Sequence, residues 1–167
     1  MSQKRYGVLF VCLGNICRSP LGEGIFRHLV AKNGVDGLFE IDSAGTADYH
    51  VGEQPHTGSI HIAEKHGISI VDQRGRQFTN DDLKRWDYII AMDDSNRQNL
   101  LQLDKEIERK LYRLRDFDPN GPGDVPDPWG RGEDAFQDVY NIIYRSCENL
   151  LTHILKEHGH VDEGTKS

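Results

Sequence analysis

Residues 12–20 read Cys-Leu-Gly-Asn-Ile-Cys-Arg-Ser-Pro, and Cys12 and Arg18 are separated by five residues. That spacing can do chemistry on an oxyanion. Gly14 and Asn15 can adopt the positive φ of a tight loop. Successive amides of Leu13, Gly14, Asn15, Ile16, Cys17 and Arg18, turned inward, would form an anion-binding nest. The planar guanidinium of Arg18 can clamp two oxygens of the same anion. Cys12 would lie beneath it, where amides and guanidinium favour the thiolate, a nucleophile aimed at phosphorus. The competing reading of Cys12 is a small buried residue at a strand end. A cation in the first turn of a helix is electrostatically misplaced, so Arg18 calls for an anion to offset it.

Such a loop needs a strand before it and a helix after it. Val8-Leu9-Phe10-Val11, bounded by Gly7 and Gly14, reads as a strand buried on both faces. Ser19-Pro20 reads as a helix start, with Ser19 as N-cap and Pro20 at the first helical position. Leu21, Ile25 and Leu29 then follow one helical face up to Asn33-Gly34. Phe39 to Ala44 alternates as a second strand. A weaker helix near His56–His66 ends at Gly67, and Thr79 before Asn80-Asp81-Asp82 marks another helix start. Tyr88 to Met92 reads as a buried strand, and Leu111 to Leu114 as one nearer an edge. Asp116 to Arg131 carries Pro, Gly and Asp with neither pattern. Phe136, Val139, Tyr140, Ile143, Cys147, Leu150, Leu151 and Ile154 then line one face of a long helix.

Strands alternating with helices imply an α/β domain, a parallel sheet covered on both faces, with ligands at the carboxyl ends of the strands. The 167 residues suit one domain, taken as residues 1–158, with a polar, frayed tail at 159–167. Apolar residues are 37% and charged residues 28%, a globular rather than disordered composition. Twenty basic against 27 acidic residues give a net charge of −7, which disfavours nucleic acid and anionic membranes as partners. No run spans a bilayer. Residues 1–13 mimic a signal peptide, but the apolar run is too short. Three cysteines without a paired framework point to a reducing, cytoplasmic setting. The eight histidines form no metal pattern, and no nucleotide-triphosphate loop of the Gly-x4-Gly-Lys-Ser/Thr type occurs. No metal or cofactor is expected.

The string Val8 to Pro20 resembles the signature of the low-molecular-weight protein tyrosine phosphatases. Asp42-Ser43-Ala44-Gly45-Thr46, Ala91-Met92-Asp93 with Ser95-Asn96, and Asp124-Val125-Pro126-Asp127-Pro128-Trp129 match further segments in the family's order. The resemblance covers roughly residues 6 to 156. It implies a three-layer sandwich, four parallel strands in the flavodoxin-like order 2-1-3-4. It also implies hydrolysis of phosphotyrosine or small aryl phosphates through a phosphocysteine on Cys12. Inorganic phosphate and vanadate would inhibit, and the assembly would be a monomer or weak dimer.

The leaving phenolate needs a proton from a carboxylic acid. Composition alone leaves Asp116, Asp118, Asp124 and Asp127 open; the resemblance picks Asp127. It also implies that Asn15, Ser19 and Ser43 hold the loop and sulfur by hydrogen bonds. Cys17 is either an apolar wall or a thiol that traps oxidised Cys12, the second being the family's reading and making the site redox-sensitive. Where the family places a histidine in this network, the chain has Gln73, which hydrogen-bonds but carries no charge. Leu13, Tyr49 and Trp129 fall where the family builds its substrate cleft, with Trp129 in place of the more usual Tyr. Two other readings compete. An arsenate reductase on this scaffold would relay a disulfide through cysteines that residues 73–110 do not contain. A phosphate-binding or redox-sensing module would not need the acidic loop.

Overall fold

The computed structural model describes residues 5–160. Four parallel strands form one sheet in the order β2-β1-β3-β4. They are β1 (Tyr6–Cys12), β2 (Phe39–Gly45), β3 (Tyr88–Ala91) and β4 (Leu111–Arg113). The first strand is central and its apolar run, Val8 to Val11, is fully buried, as a strand covered on both faces must be. Alternation divides its side chains between two layers. Val8 and Phe10 face a core shared with Tyr88 and Ile90. Leu9 and Val11 face the other, with Ile89, Trp86, Leu100 and Ile107.

Helices α1 (Arg18–Lys32), α2 (Thr57–Lys65) and α5 (Glu133–Glu157) cover the first layer. Helices α3 (Asn80–Arg85) and α4 (Asp94–Leu103) cover the second. All eight apolar residues anticipated on the face of α5 are buried, Cys147 among them. Gly22 explains how closely α1 lies on the sheet: a Cβ there would stand 2.8 Å from both Met92 and Phe10 side-chain atoms.

Three local expectations are corrected. Helix α1 opens at Arg18 with Cys17 at its cap position, so Ser19 is not the N-cap and Pro20 is not first in the helix. The Ser19 hydroxyl is engaged by Cys12 and Asn15 instead of the helix amides. Leu114 leaves the fourth strand for a 3-10 turn, Leu114–Phe117, in which Asp116 accepts the Arg113 amide. Gly159 and His160, read as the start of a frayed tail, are tied back. The His160 amide donates to Leu155 O at 2.8 Å, and its ring meets the Tyr6 hydroxyl at 2.6 Å. Residues 161–167 of that segment lie outside the described residues. Among the described residues no helix is long and apolar enough to cross a membrane.

Candidate active site

The loop from Cys12 to Arg18 runs from the carboxyl end of β1 into α1. Its carbonyls are tied outward: Cys12 O accepts from the Thr46 amide, Leu13 O from Ala47, Ile16 O from His56, and Cys17 O from the Ser59 hydroxyl. A trans peptide sets each carbonyl opposite the next amide. The amides of Leu13, Gly14, Cys17 and Arg18 are thereby turned to the other side. Those of Gly14, Asn15, Ile16 and Cys17 find no acceptor among the described residues. Unspent donors facing one concavity at a helix N-terminus are what an oxyanion needs. Asn15 takes the left-handed turn, at φ 55°, that curls the loop.

Side chains hold that curl from behind. Asn15 Nδ2 donates to Ser19 Oγ at 2.8 Å and Ser43 Oγ at 3.0 Å, and its Oδ1 accepts the Arg76 amide at 3.0 Å. Ser43 Oγ donates to Glu23 Oε1 at 2.7 Å. Ser19 Oγ lies 3.1 Å from Cys12 Sγ. Asn15 donates to a lone pair of Ser19 Oγ, which leaves the Ser19 hydrogen free for sulfur. Burial pushes the Glu23 carboxyl above its ordinary range, against hydrogen bonds from Ser43 and Arg27. Gln73 stands apart from this network. It donates to Pro20 O at 3.1 Å, on the first turn of α1, and its Oε1 is buried without a partner.

Arg18 is 3% exposed. Its Nη1 donates to Asp93 Oδ2 at 2.7 Å and to Val125 O at 2.9 Å. Its Nη2 lies 3.9 Å from Asp127 Oδ2. Burial works against its charge, but Cys12, Asp93 and Asp127 outweigh burial and hold the guanidinium cationic. Part of the anion that the misplaced cation called for is therefore supplied by the protein, as Asp93. The same residue caps α4, its other carboxylate oxygen accepting the Asn96 amide at 2.8 Å.

The acidic loop is pinned over the same end of the sheet. The Val125 amide donates to Met92 O at 2.8 Å and the Asp94 amide to Asp124 Oδ1 at 2.9 Å. Asp127 Oδ1 accepts the Trp129 amide at 3.0 Å. Of the four aspartates left open, Asp118 is spent on Arg115 and Arg145 and Asp116 on Arg113. Only Asp127 lines the cavity over Cys12. That cavity holds about 320 Å³ and gathers Cys12, Arg18 and Asp127 with Leu13, Ile16, Tyr49 and Trp129. Burial and the neighbouring Cys12 and Asp127 charges push the Cys17 thiol up to about 12.

Sequence reasoning missed Glu23, Arg76 and Asp93 as supports, and His50 as a wall residue. Among the described residues no group of His, Cys, Asp and Glu is arranged to hold a metal ion.

Comparison with known proteins agrees with this geometry. The family described as low molecular weight phosphotyrosine protein phosphatase matches residues 7–160. The low molecular weight protein-tyrosine-phosphatase YfkJ of Bacillus subtilis is 44% identical, over 90% of this chain and 96% of its own. The crystal structure of YfkJ superposes with a TM-score of 0.87, covering 94% of this chain and 99% of the other at 42% identity. A protein tyrosine phosphatase from Entamoeba histolytica, with Hepes in its active site, gives 0.86 at 35% identity, covering 93% and 99%. Drosophila arginine phosphatase gives 0.80 at 32% identity, covering 88% and 96%. With the match running from the first strand to the end of α5, the chain belongs to the low molecular weight phosphotyrosine protein phosphatase family.

Proposed function

We propose that the chain hydrolyses phosphotyrosine and related aryl phosphate monoesters in two steps. In the first, Cys12 Sγ attacks phosphorus, the P–O bond to the aryl group breaks, and the leaving oxygen takes a proton from Asp127. The loop amides and Arg18 carry the charge on the three equatorial oxygens. In the second, Asp127 takes a proton from water as its oxygen attacks phosphorus. The P–S bond breaks, Ser19 stabilises the departing sulfur, and phosphate leaves. The observation that carries this reading is the convergence of Cys12, Arg18 and Asp127 on one cavity.

The lining favours an aryl ester. Leu13, Ile16, Tyr49 and Trp129 give the cavity apolar walls, and an aromatic pair adds about 0.5–1.5 kcal/mol beyond burial. A phosphoarginine substrate would seek a carboxylate for its guanidinium. Asp127 is the one carboxylate on the described walls, and it is taken by proton transfer. Free Cys17, buried beside the site, suits a protective role: oxidised to a sulfenic acid, Cys12 would condense with the Cys17 thiol and release water. Such a pair, with three free cysteines, fits a reducing, cytoplasmic setting.

The test compares wild type with Cys12→Ser on phosphotyrosine, phosphoserine and phosphoarginine in EDTA. Wild type should turn over phosphotyrosine far faster than the others. Cys12→Ser should lose at least about a thousandfold in kcat while still binding phosphate or vanadate. Undiminished turnover by Cys12→Ser refutes the covalent route, and a preference for phosphoarginine refutes the substrate.

A further inference from the structure

The mouth of the active-site cavity is electrically lopsided. On the side of Tyr49, Asp48 and Glu53 are present, with Glu53 holding His50 at 3.1 Å. On the side of Trp129, a second cavity of about 310 Å³ opens, lined by His56, His61, Arg131, Glu133 and Phe136. The ring of His56 stands between the two. It meets Trp129 edge-on at 5.3 Å and stacks on Phe136 at 5.1 Å. Arg131 belongs to the same turn as Trp129, its amide donating to Pro128 O at 2.9 Å while Gly130 turns the chain at φ 77°.

The second cavity carries one formal cation, Arg131, and one formal anion, Glu133, and the anion is already answered from outside the cavity. Glu133 is committed to Lys65 at 3.0 Å and lies 3.6 Å from His61. Among the described residues no carboxylate pairs with Arg131, which is exposed. An unanswered cation is therefore left beside the active site of a chain whose net charge is −7. No step of the proposed hydrolysis uses it.

We propose that this second cavity is a specificity subsite for an acidic side chain, Asp or Glu, flanking the phosphotyrosine, with Arg131 as its principal partner. The inference rests on the phosphotyrosine reading above and names the class of peptide that reading admits. The two ring spacings set an upper bound of about 10 Å between Trp129 and Phe136, and an extended peptide advances about 3.3 Å per residue. The acidic residue thus belongs within about three positions of the phosphotyrosine. An exposed ion pair is modest and is screened by salt, so the subsite ranks substrates rather than gating them.

The experiment measures kcat/KM for phosphotyrosyl peptides carrying Glu, Ala or Lys two and three residues to either side, with para-nitrophenyl phosphate as a substrate without flanks. Wild type should favour the Glu peptide on one flank over the Ala peptide by about threefold to fivefold at low salt, and the Lys peptide should fall below both. Arg131→Gln should erase the ranking, Arg131→Glu should invert it, and Arg131→Lys should restore much of it. All three should keep wild-type rates on para-nitrophenyl phosphate. Equal handling of the Glu and Lys peptides by wild type, or a ranking that survives Arg131→Glu, overturns the subsite. Failure of wild type to hydrolyse para-nitrophenyl phosphate would instead sink the phosphatase reading.

Discussion

Gly45 ends β2 opposite Cys12 in the strand register, and the backbone of the catalytic loop rests on it. A Cβ at this position would lie 2.8 Å from Leu13 O, 3.0 Å from Asn15 N and 3.0 Å from Gly14 C. All three are backbone atoms, so no flexible side chain can yield. Ordinary contact begins near 3.4 Å, so in Gly45→Ala the loop must retreat by roughly half an ångström. Near-attack geometry tolerates little: reacting atoms sit about 3–3.5 Å apart, and a misplacement of about 1 Å can cost a hundredfold. Gly45→Ala should therefore lower kcat on para-nitrophenyl phosphate by about tenfold to a hundredfold. Overpacking of this kind costs about 1–3 kcal/mol, so the fold should survive, with a lowered Tm. Gly37→Ala, with nothing within 4 Å of the added carbon, is the control and should change neither quantity. Wild-type kcat in a folded Gly45→Ala enzyme would refute the idea that loop position limits the reaction.

Asp127→Ala should slow aryl phosphates with poor leaving groups far more than those with good ones; an equal loss on both would move the acid elsewhere. Asp93→Asn keeps a cap for α4 but removes the charge that holds Arg18. It should weaken phosphate binding and lower kcat by about tenfold or more, read from inhibition and steady-state kinetics; unchanged kinetics would make that pair merely structural. Asp118 has no exposed side-chain surface. Burial alone would raise its carboxyl, but hydrogen bonds from Arg145, the Asn120 amide and Arg115 outweigh burial and hold it at about 2. Its folded value lies below the unfolded one. The stability it contributes is therefore complete above about pH 4 and lost as pH falls through about 2, a change of about 2 kcal/mol. Denaturant unfolding at several acid pH values should show that loss in wild type and a flatter profile in Asp118→Asn.

The parts of the site that come from consecutive residues were legible in the sequence. Cys12, Gly14, Asn15 and Arg18 sit on one strand-loop-helix, so local rules sufficed to bring them together. The buried run of β1 and the apolar face of α5 were equally plain, because a period of two or of 3.6 needs no partner to be seen. The supports were not legible, since their partners lie far along the chain. Arg18 and Asp93 are 75 positions apart and meet because β1 and β3 are neighbours in the sheet. Asp93 carries an ordinary capping signal that hides its second bond. Ser19 misled for the opposite reason: its local signal as an N-cap was sound, but sulfur and Asn15 outbid the helix amides for its hydroxyl. Gln73 was assigned to the loop network by family position, yet its side chain reaches Pro20 O.

Rapid-quench kinetics with a phosphorus-labelled aryl phosphate bears most directly on the covalent route. Wild type should show a burst of protein-bound phosphate approaching one per chain before steady turnover, and the label should be held on Cys12. Asp127→Ala should retain that label longer, and Cys12→Ser should hold none. Phosphate released with no bound label at any time, or label that persists in Cys12→Ser, would contradict a phosphocysteine intermediate.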